Sequence, residues 1–443
     1  MTLINSIRAG VCLLPLLGMA ALSEPTTDDA AAWAKSNAVS IGAAGSSDLS
    51  ALQSIIGAAR MVGFGEAIHR GHEFLMLRNE VFKYLVEQQG FTAIATESGY
   101  AASIKVDDYV LGRGQLTDDV VAAVFSFTAP TAYAENRNLI EWMRSYNARA
   151  GVKRKIRFYG LEPVGHAGGP ALIRDEVELA LDYLAVLDPE QAPRFAARLT
   201  PVIEATVRNG YENLTQEQRD AYTVALADLV GLFERHHVQW SERSSSLDYQ
   251  RAYRNALNAR ALDADLRNFG WWISRHGDRN QRDASSALLA EWILSREGPE
   301  GRLFVFAHNL HLRKGPVFKP ERKFTAMGQH LNESQGANLV VIGSAYQSMR
   351  GAFEKARGSS QETAVDTMPD ESVGAVLSRV PMQRFVVDLR AGAMADAGAQ
   401  WWGRPRMFHG AGEDHMVLTP RDCFDALIFT RDVTPAHDKE PRK

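Results

Sequence analysis

Cysteine is the scarcest residue type in this sequence, with only Cys12 and Cys423 among 443 residues. A scaffold that depends on several disulfides is therefore excluded. Cys423 lies in the stretch PRDCFDALIF, directly ahead of a predicted strand, where a thiol is typical of core packing. We do not expect a cysteine nucleophile.

The sequence also has no excess of charge of one sign. It contains 49 Lys and Arg residues against 53 Asp and Glu residues, which gives a formal net charge of −4 and an isoelectric point of about 6.3. The basic residues do not form runs, so a nucleic-acid partner is not expected. The 45% of hydrophobic and 23% of charged residues are ordinary for a globular protein.

The N-terminal apolar segment is too short for a typical membrane span. Arg8 precedes it, the apolar core runs from Ala9 to Leu22, and Ala21 and Ser23 are the small residues of a cleavage site. We expect residues 1–23 to be a signal peptide, with an uncleaved anchor as the alternative. The mature protein would keep no stable membrane insertion. Export without disulfides indicates a periplasmic or secreted protein.

Short apolar runs rich in Val, Ile and Phe predict the strands of a sheet, at 61–65, 92–96, 156–160, 303–307, 339–343, 385–389 and 426–430. Helical patterns such as ENRNLIEWMRSYNAR lie between several of them. This alternation predicts an α/β fold with a mostly parallel central sheet flanked by helices. From about 171 to 299 only helical patterns occur, which predicts a helical insertion or cap within one domain spanning 24–443.

Polar residues follow several of the predicted strands at the point where each strand ends. These residues are Glu66 and His69, Glu97, Glu162, and the group His308, Asn309 and His311. Because the carboxyl ends of parallel strands meet at one edge of a sheet, we expect these side chains to converge on one cleft. Carboxylates that end buried strands need partners, and Arg78 and the histidines are the candidates.

The stretch GFGEAIHRGHEFLMLRNEVF, at 63–82, allows more than one kind of site. Its histidines do not have the spacing of a zinc-protease helix, although Glu66, His69, Glu97 and His308 are acceptable metal ligands. No Gly-x-Ser-x-Gly elbow follows a strand. The residues therefore favour a histidine that acts as general base on water.

Other polar residues of this stretch have simpler interpretations. His72 opens the following helix and is expected to be an ordinary helix start. Glu73 and Glu80 are expected to be helix-surface charges, and a surface ion pair is the alternative for Arg78.

Taken in order, the motifs from about residue 60 to 430 resemble those of the erythromycin esterase family. The resemblance rests on GFGEAIHRGHEFLMLR, the strand ending in Glu97, FYGLEP, NQRDASSALLAEW, VFAHNLHL, TAMGQHL, FVVDLR and DCFDALIF. It implies a hydrolytic α/β fold unrelated to the serine esterases and water attack on a macrolide lactone. His69 matches the family's general base, Glu66, Arg78 and Glu97 match the polar residues around it, and His308 matches a second active-site histidine. We expect Glu66 and Glu97 to orient or tune His69, and Arg78 and His308 to bind or stabilise the oxyanion that develops on the ester carbonyl. No cofactor or metal is implied.

The sequence departs from the family pattern at several positions. Arg70 stands where the family often has Gly, Glu162 where Asp is common, Asn79 where His is usual, and Trp292 where Asn is frequent. We expect Arg70, Glu162, Asn309 and His311 to contact the substrate. The prediction is a hydrolase of a small-molecule ester or lactone. A metal-dependent hydrolase and a non-catalytic periplasmic binding protein are the alternatives.

Overall fold

The computed structural model describes residues 24–42, 48–125, 132–162, 170–268, 280–318, 324–350, 352–353, 362–363, 369–392, 396–409 and 415–437. The predicted signal peptide at 1–23 lies outside the described residues. No helix in the described part of the chain combines the length and apolar character needed to cross a membrane.

The strands of the fold are β1 Ala38–Ser40, β2 Met61–Glu66, β3 Ala93–Gly99, β4 Arg157–Glu162, β5 Leu303–His308, β6 Leu339–Met349, β7 Ala352–Phe353, β8 Glu362–Thr363, β9 Arg384–Asp388, β10 Arg406–His409, β11 His415–Leu418 and β12 Ala426–Val433. Eight of them form the central sheet, in the order β1-β9-β12-β6-β2-β5-β3-β4. The strands from β12 to β4 are all parallel, and β9 pairs antiparallel with both β12 and β1. The predicted strands are all present, and the mostly parallel sheet is confirmed.

The α-helices are α1 Thr27–Asn37, α2 Ala51–Ile56, α3 His72–Gln89, α4 Tyr100–Val110, α5 Asp118–Val124, α6 Ala134–Asn147, α7 Pro170–Leu187, α8 Ala192–Asn209, α9 Gln216–Arg243, α10 Ser246–Asn268, α11 Asn280–Arg296, α12 Asn309–Leu312, α13 Met327–Gln335, α14 Val373–Ser378, α15 Ala397–Trp402 and α16 Pro420–Cys423. They cover both faces of the sheet. Strand β5 shows this arrangement, because Phe304 and Phe306 join the core on one face while Leu303 and Val305 join the core on the other.

Between β4 and β5 the described residues form helices α7 to α11 and no strand. This is where the sequence predicts a helical insertion. Helices α7 to α10 share a hydrophobic core of their own, which includes Leu199, Leu226 and Trp240. Helix α11 instead packs Leu289 and Ile293 into the core of the sheet, so this helix is fixed relative to the strands.

The chain immediately after β2 is held by the C-terminal segment. The backbone N–H of His72 donates to Thr434 O over 2.8 Å, and the N–H of Ala436 donates to Arg70 O over 2.7 Å. The Glu73 carboxylate accepts hydrogen bonds from the backbone N–H and the hydroxyl of Thr434. The prediction that Glu73 is only a helix-surface charge is therefore wrong, because its carboxylate anchors the end of the chain.

The prediction that Glu80 is a helix-surface charge is wrong, whereas the prediction that Cys423 packs in the core is confirmed. Glu80 accepts a hydrogen bond from Arg384, whose side chain is buried, so Glu80 is also not a simple surface charge. Cys423 is fully buried in the core, as predicted, and burial raises the pKa of its thiol to about 12. The thiol therefore stays protonated and inert near neutral pH.

Candidate active site

The register of the parallel strands brings the predicted acidic and histidine residues to one edge of the sheet. Glu66 at the end of β2 is the direct partner of His308 at the end of β5. Glu97 lies near the end of β3, which is the next strand, and Glu162 ends β4 beside it. Glu66, Glu97, Glu162 and His308 are all buried. They therefore converge at the carboxyl ends of four adjacent strands, where open α/β sheets bind ligands.

His69 and Glu66 form a short hydrogen-bonded pair at this edge of the sheet. Nδ1 of His69 lies 2.6 Å from Oε1 of Glu66, and the His69 side chain is 24% exposed whereas that of Glu66 is 2% exposed. Burial disfavours the charged form of His69, but the hydrogen bond and the charge of Glu66 outweigh it and raise the pKa of His69. Burial likewise raises the pKa of Glu66. A carboxylate thus orients an imidazole that remains open to solvent.

His308 lies beside His69 but has a different hydrogen-bonding state. The two ring centroids are 5.0 Å apart. Nδ1 of His308 accepts a hydrogen bond from the Leu310 N–H over 3.1 Å, so its Nε2 carries the proton and donates to Ala67 O over 3.2 Å. Burial and the neighbouring His69 lower the pKa of His308 well below its ordinary value. His308 is therefore a neutral imidazole that joins β5 to the loop after β2.

Arg282, near the start of α11, joins two of the strand-end carboxylates. Its Nη2 donates to Oε1 of Glu97 over 2.9 Å and also to Oε1 of Glu162. The backbone N–H of His308 donates to the other oxygen of Glu97 over 2.8 Å. Although burial opposes ionisation, nearby cationic groups, including Arg282, and the His308 N–H hold the pKa of Glu97 well below its usual range. Burial and the adjacent Glu97 instead raise the pKa of Glu162.

His311 extends this network towards α13. Its Nδ1 lies 2.9 Å from Oδ2 of Asp283, and its Nε2 lies 2.7 Å from Nη1 of Arg282. Because an arginine can only donate, Nε2 of His311 is the acceptor and Nδ1 donates to Asp283. Asp283 also accepts the backbone N–H of Met327 over 2.9 Å. His311 is therefore fixed on both sides.

A small cavity borders this network. Its walls include Glu97, Glu162, Arg282, His311 and Met327, and its volume of about 10 Å³ is close to the room that one water molecule requires. Carboxylates, a guanidinium and an imidazole are suitable partners for a bound water.

Arg78 does not have the contacts that the sequence suggests. It is 1% exposed, which excludes a surface ion pair, and it donates to Oδ1 of Asn79 and to Oδ1 of Asn136. Its guanidinium lies 5.2 Å from the ring centroid of Phe306. Arg282, rather than Arg78, is the hydrogen-bonding partner of Glu97 and Glu162. The reason is that Arg78 projects from α3 towards the face of the sheet that carries Phe306.

Asn309 and Arg70 also differ from their predicted surroundings. Asn309 is fully buried, its Nδ2 donates to Ser344 O over 2.8 Å, and its Oδ1 accepts the Ser344 N–H over 3.1 Å. It fastens β6 instead of projecting into the cleft, and a β-carbon at Gly65 would collide with its Oδ1. Arg70 is 8% exposed and has a φ of 66°, a left-handed conformation that favours glycine.

Sequence reasoning did not single out Arg282 and Asp283 as site residues. Both belong to the stretch NQRDASSALLAEW, which contributes to the family resemblance. The available signal was an Arg-Asp pair at the start of an amphipathic helix that follows the insertion. The sequence predicts no strand directly before this pair, so the rule that selected the other residues could not find it.

The cleft residues are not arranged as a metal-binding cluster. Within the described part of the chain, one group of three or more His, Cys, Asp or Glu residues has its ligand atoms all within 4.8 Å of one another. This group consists of His72, Glu135 and His437 and does not include Glu66, His69, Glu97 or His308.

Comparison with known proteins identifies relatives in one family. The family model described as erythromycin esterase matches residues 86–433. The type II erythromycin esterase of Escherichia coli is 26% identical over 307 residues, which cover 67% of this chain and 71% of that enzyme. The type I enzyme of Escherichia coli is 24% identical over 311 residues, which cover 66% of this chain and 71% of that enzyme.

The fold has solved counterparts as well. The crystal structure of an erythromycin esterase mutant in its open conformation superposes with a TM-score of 0.68 at 20% sequence identity, and the match covers 87% of this chain and 94% of that one. This likeness shows the fold, and the family model extends over most of the sequence. The chain belongs to the erythromycin esterase family.

Proposed function

We propose that the protein is a hydrolase that cleaves an ester or lactone by attack of a water molecule that His69 activates. The observation that carries this proposal is the His69–Glu66 pair, with its 2.6 Å hydrogen bond and a partly exposed imidazole at the carboxyl edge of the sheet. Family membership supports hydrolase activity.

The chemistry follows from the orientation of the imidazole. With Nδ1 held by Glu66, the opposite nitrogen of His69 takes a proton from water as the oxygen attacks the carbonyl carbon. Glu66 stabilises the imidazolium that forms, in the way that a carboxylate supports the histidine of other hydrolytic sites. The carbon–oxygen bond to the leaving alkoxide then breaks, and the imidazolium returns its proton to that alkoxide. The products are a carboxylic acid and an alcohol.

Arg282 is the cation of the carboxylate network at this edge of the sheet. Arg282 lies in the wall of the cleft and holds Glu97 and Glu162 in place. A fixed guanidinium in a buried site stabilises developing negative charge better than mobile water does. We assign Arg282 a charge effect over a distance and no hydrogen bond to the oxyanion, because its donors are directed at His311, Glu97 and Glu162.

The roles that the sequence suggests for Arg78 and His308 change accordingly. Both residues have their donors directed at protein acceptors, namely amide oxygens for Arg78 and Ala67 O for His308. Neither arrangement supports direct hydrogen bonding to an oxyanion. We propose that the positive charge of Arg78 favours the ionised form of Glu66. We also propose that neutral His308 positions the loop carrying His69 through its hydrogen bond to Ala67 O.

The substrate class is proposed from the same site. Membership of the erythromycin esterase family supports a cyclic ester as the substrate. Macrolide lactones are the first class to test. Arg70, which follows the base, would influence which substrate enters.

We also propose that the protein is exported to the periplasm or secreted, as the N-terminal sequence suggests.

The test is incubation of the purified protein with a series of macrolides and simpler lactones, followed by mass spectrometry for the gain of one water. The His69→Ala variant should lose this product while keeping its circular dichroism spectrum and melting temperature. A matched control is His236→Ala, because His236 lies on α9 in the insertion, away from the sheet edge. Equal turnover by His69→Ala and wild type would discard the assignment. Tight retention of an unchanged lactone would favour a binding protein.

A further inference from the structure

Three residues outside the proposed active site form a second cluster, where the end of the chain meets the start of α3. Nδ1 of His72 lies 2.5 Å from Oε1 of Glu135, and Nδ1 of His437 lies 3.6 Å from the same oxygen. The two imidazole rings are stacked with their centroids 4.1 Å apart. The possible ligand atoms of two imidazoles and one carboxylate, from three separate parts of the chain, therefore all lie within 4.8 Å of one another.

The carboxylate of this cluster is fixed from behind and incompletely satisfied. Glu135 O accepts a hydrogen bond from Nδ2 of Asn79 over 2.8 Å, and the neighbouring Asn136 side chain is held by Arg78. The Glu135 side chain is 2% exposed, and its Oε2 is buried without a hydrogen-bond partner within the described part of the chain. A buried carboxylate oxygen without a partner is costly unless something else binds it.

The exposed fraction of the side chain increases from Glu135 to His72 to His437. The side chains of Glu135, His72 and His437 are 2%, 21% and 62% exposed. The cluster is thus built on a rigid inner carboxylate and opens to solvent on the side of His437. An ion could enter from that side, and water could complete its coordination.

We propose that His72, Glu135 and His437 form a binding site for a divalent transition-metal ion of the zinc type. Two histidines and one carboxylate are a known zinc ligand set, and imidazole ligands disfavour Mg²⁺ and Ca²⁺. Ligands at about 2.0–2.1 Å from a tetrahedral ion lie roughly 3.3 Å apart. His72 and Glu135 therefore need to separate by a little under 1 Å. The stacked rings of His72 and His437 also need to turn, so that a nitrogen of each points at the ion. The proton on Nδ1 of His72 is released as the metal binds.

The ion would lock the C-terminal segment onto the loop that carries the proposed base. Gly71 pairs with Pro435 in an isolated antiparallel bridge, and Ala134 donates a hydrogen bond to His437 O over 3.0 Å. His72 is only three positions from His69 in the sequence. The metal would add a link between the end of the chain, α3 and α6, and this role does not depend on the proposed hydrolysis.

The experiment is isothermal titration of Zn²⁺ into the untagged, metal-stripped protein, together with thermal unfolding with and without Zn²⁺. We expect one saturable high-affinity site and a rise in melting temperature. His437→Ala should weaken binding by about tenfold or more and abolish the rise. It leaves the core untouched because His437 is exposed, and Glu135→Gln tests the buried ligand separately.

His236→Ala again provides the matched control, because it removes an exposed histidine outside the cluster. This variant should bind Zn²⁺ as the wild type does. Binding that is absent from the wild type, or that is equal in His437→Ala, Glu135→Gln and the control, would overturn the proposal and leave a hydrogen-bonded cluster only.

Discussion

Arg282 donates a hydrogen bond from Nη2 to Oε1 of Glu97 over 2.9 Å, across 185 positions of the sequence. The contact joins the first turn of α11 to the end of β3. Since the same nitrogen also donates to Glu162, one guanidinium contacts two buried carboxyl groups from neighbouring strands. The positions of Glu97 and Glu162 at this edge of the sheet therefore depend on α11, the helix at the end of the insertion.

Removal of this guanidinium should destabilise the fold strongly. In Arg282→Met, the buried carboxylates of Glu97 and Glu162 lose their cationic partner, and we expect the free energy of unfolding to fall by about 3–5 kcal/mol. Urea denaturation monitored by circular dichroism measures this loss. Arg260→Met removes an exposed arginine on α10 and should change stability by less than about 0.5 kcal/mol.

The loss in Arg282→Met should be partly reversed when a carboxylate is neutralised. The pKa of Glu162 is raised to about 7, so its ionisation above that pH is uncompensated once Arg282 is removed. Adding Glu162→Gln removes this ionisation, and the double variant should be more stable than Arg282→Met alone, most clearly above pH 7. If the two substitutions instead add independently in a double-mutant cycle, the contact between Arg282 and Glu162 carries no coupling energy.

The pH dependence of hydrolysis should report the His69–Glu66 pair. The pKa of His69 is raised above its ordinary value because Glu66 stabilises the imidazolium despite the opposing effect of burial. A general base must be neutral, so kcat/KM should fall as pH decreases through this raised pKa. In Glu66→Gln the stabilising charge is lost, and the acid limb should move to lower pH. Initial rates across a pH series measure the shift.

The Glu66→Gln variant should also turn over more slowly at its optimum, because a neutral amide at this position would hold the imidazole without stabilising its charged form. Glu73→Gln is a suitable control, since Glu73 contacts Thr434 rather than His69. An acid limb that stays in place in Glu66→Gln would show that Glu66 does not set the protonation of the base.

Much of this architecture is predictable because buried parallel strands and sheet edges follow simple rules. Each strand of the parallel core is a short run of β-branched and aromatic residues, and Glu66 and His308 follow directly from where β2 and β5 end. The role of Arg282 is not predictable in this way, because it depends on how α11 docks after a long insertion. The direction of a helical side chain such as Arg78 depends on packing that sequence spacing does not determine.

The conformation of Arg70 leads to a test that separates backbone strain from side-chain contacts. Its φ of 66° is unfavourable for any residue with a β-carbon. Arg70→Ala and Arg70→Gly both remove the guanidinium, but only the alanine keeps the β-carbon. We expect the glycine variant to be the more stable of the two by roughly 1 kcal/mol. Equal melting temperatures for the two variants would show that the loop relaxes without cost.

Asn309 provides a final test, which distinguishes a structural amide from a substrate-binding one. In Asn309→Ala, the buried N–H and carbonyl of Ser344 both lose their partner, which should cost about 2–5 kcal/mol of stability. Because the amide is directed at β6 and not at the cleft, KM should change little at a temperature where the variant is folded. Asn332→Ala, an exposed change on α13, should leave both quantities unaltered. A large rise in KM with unchanged stability would instead place Asn309 in contact with the substrate.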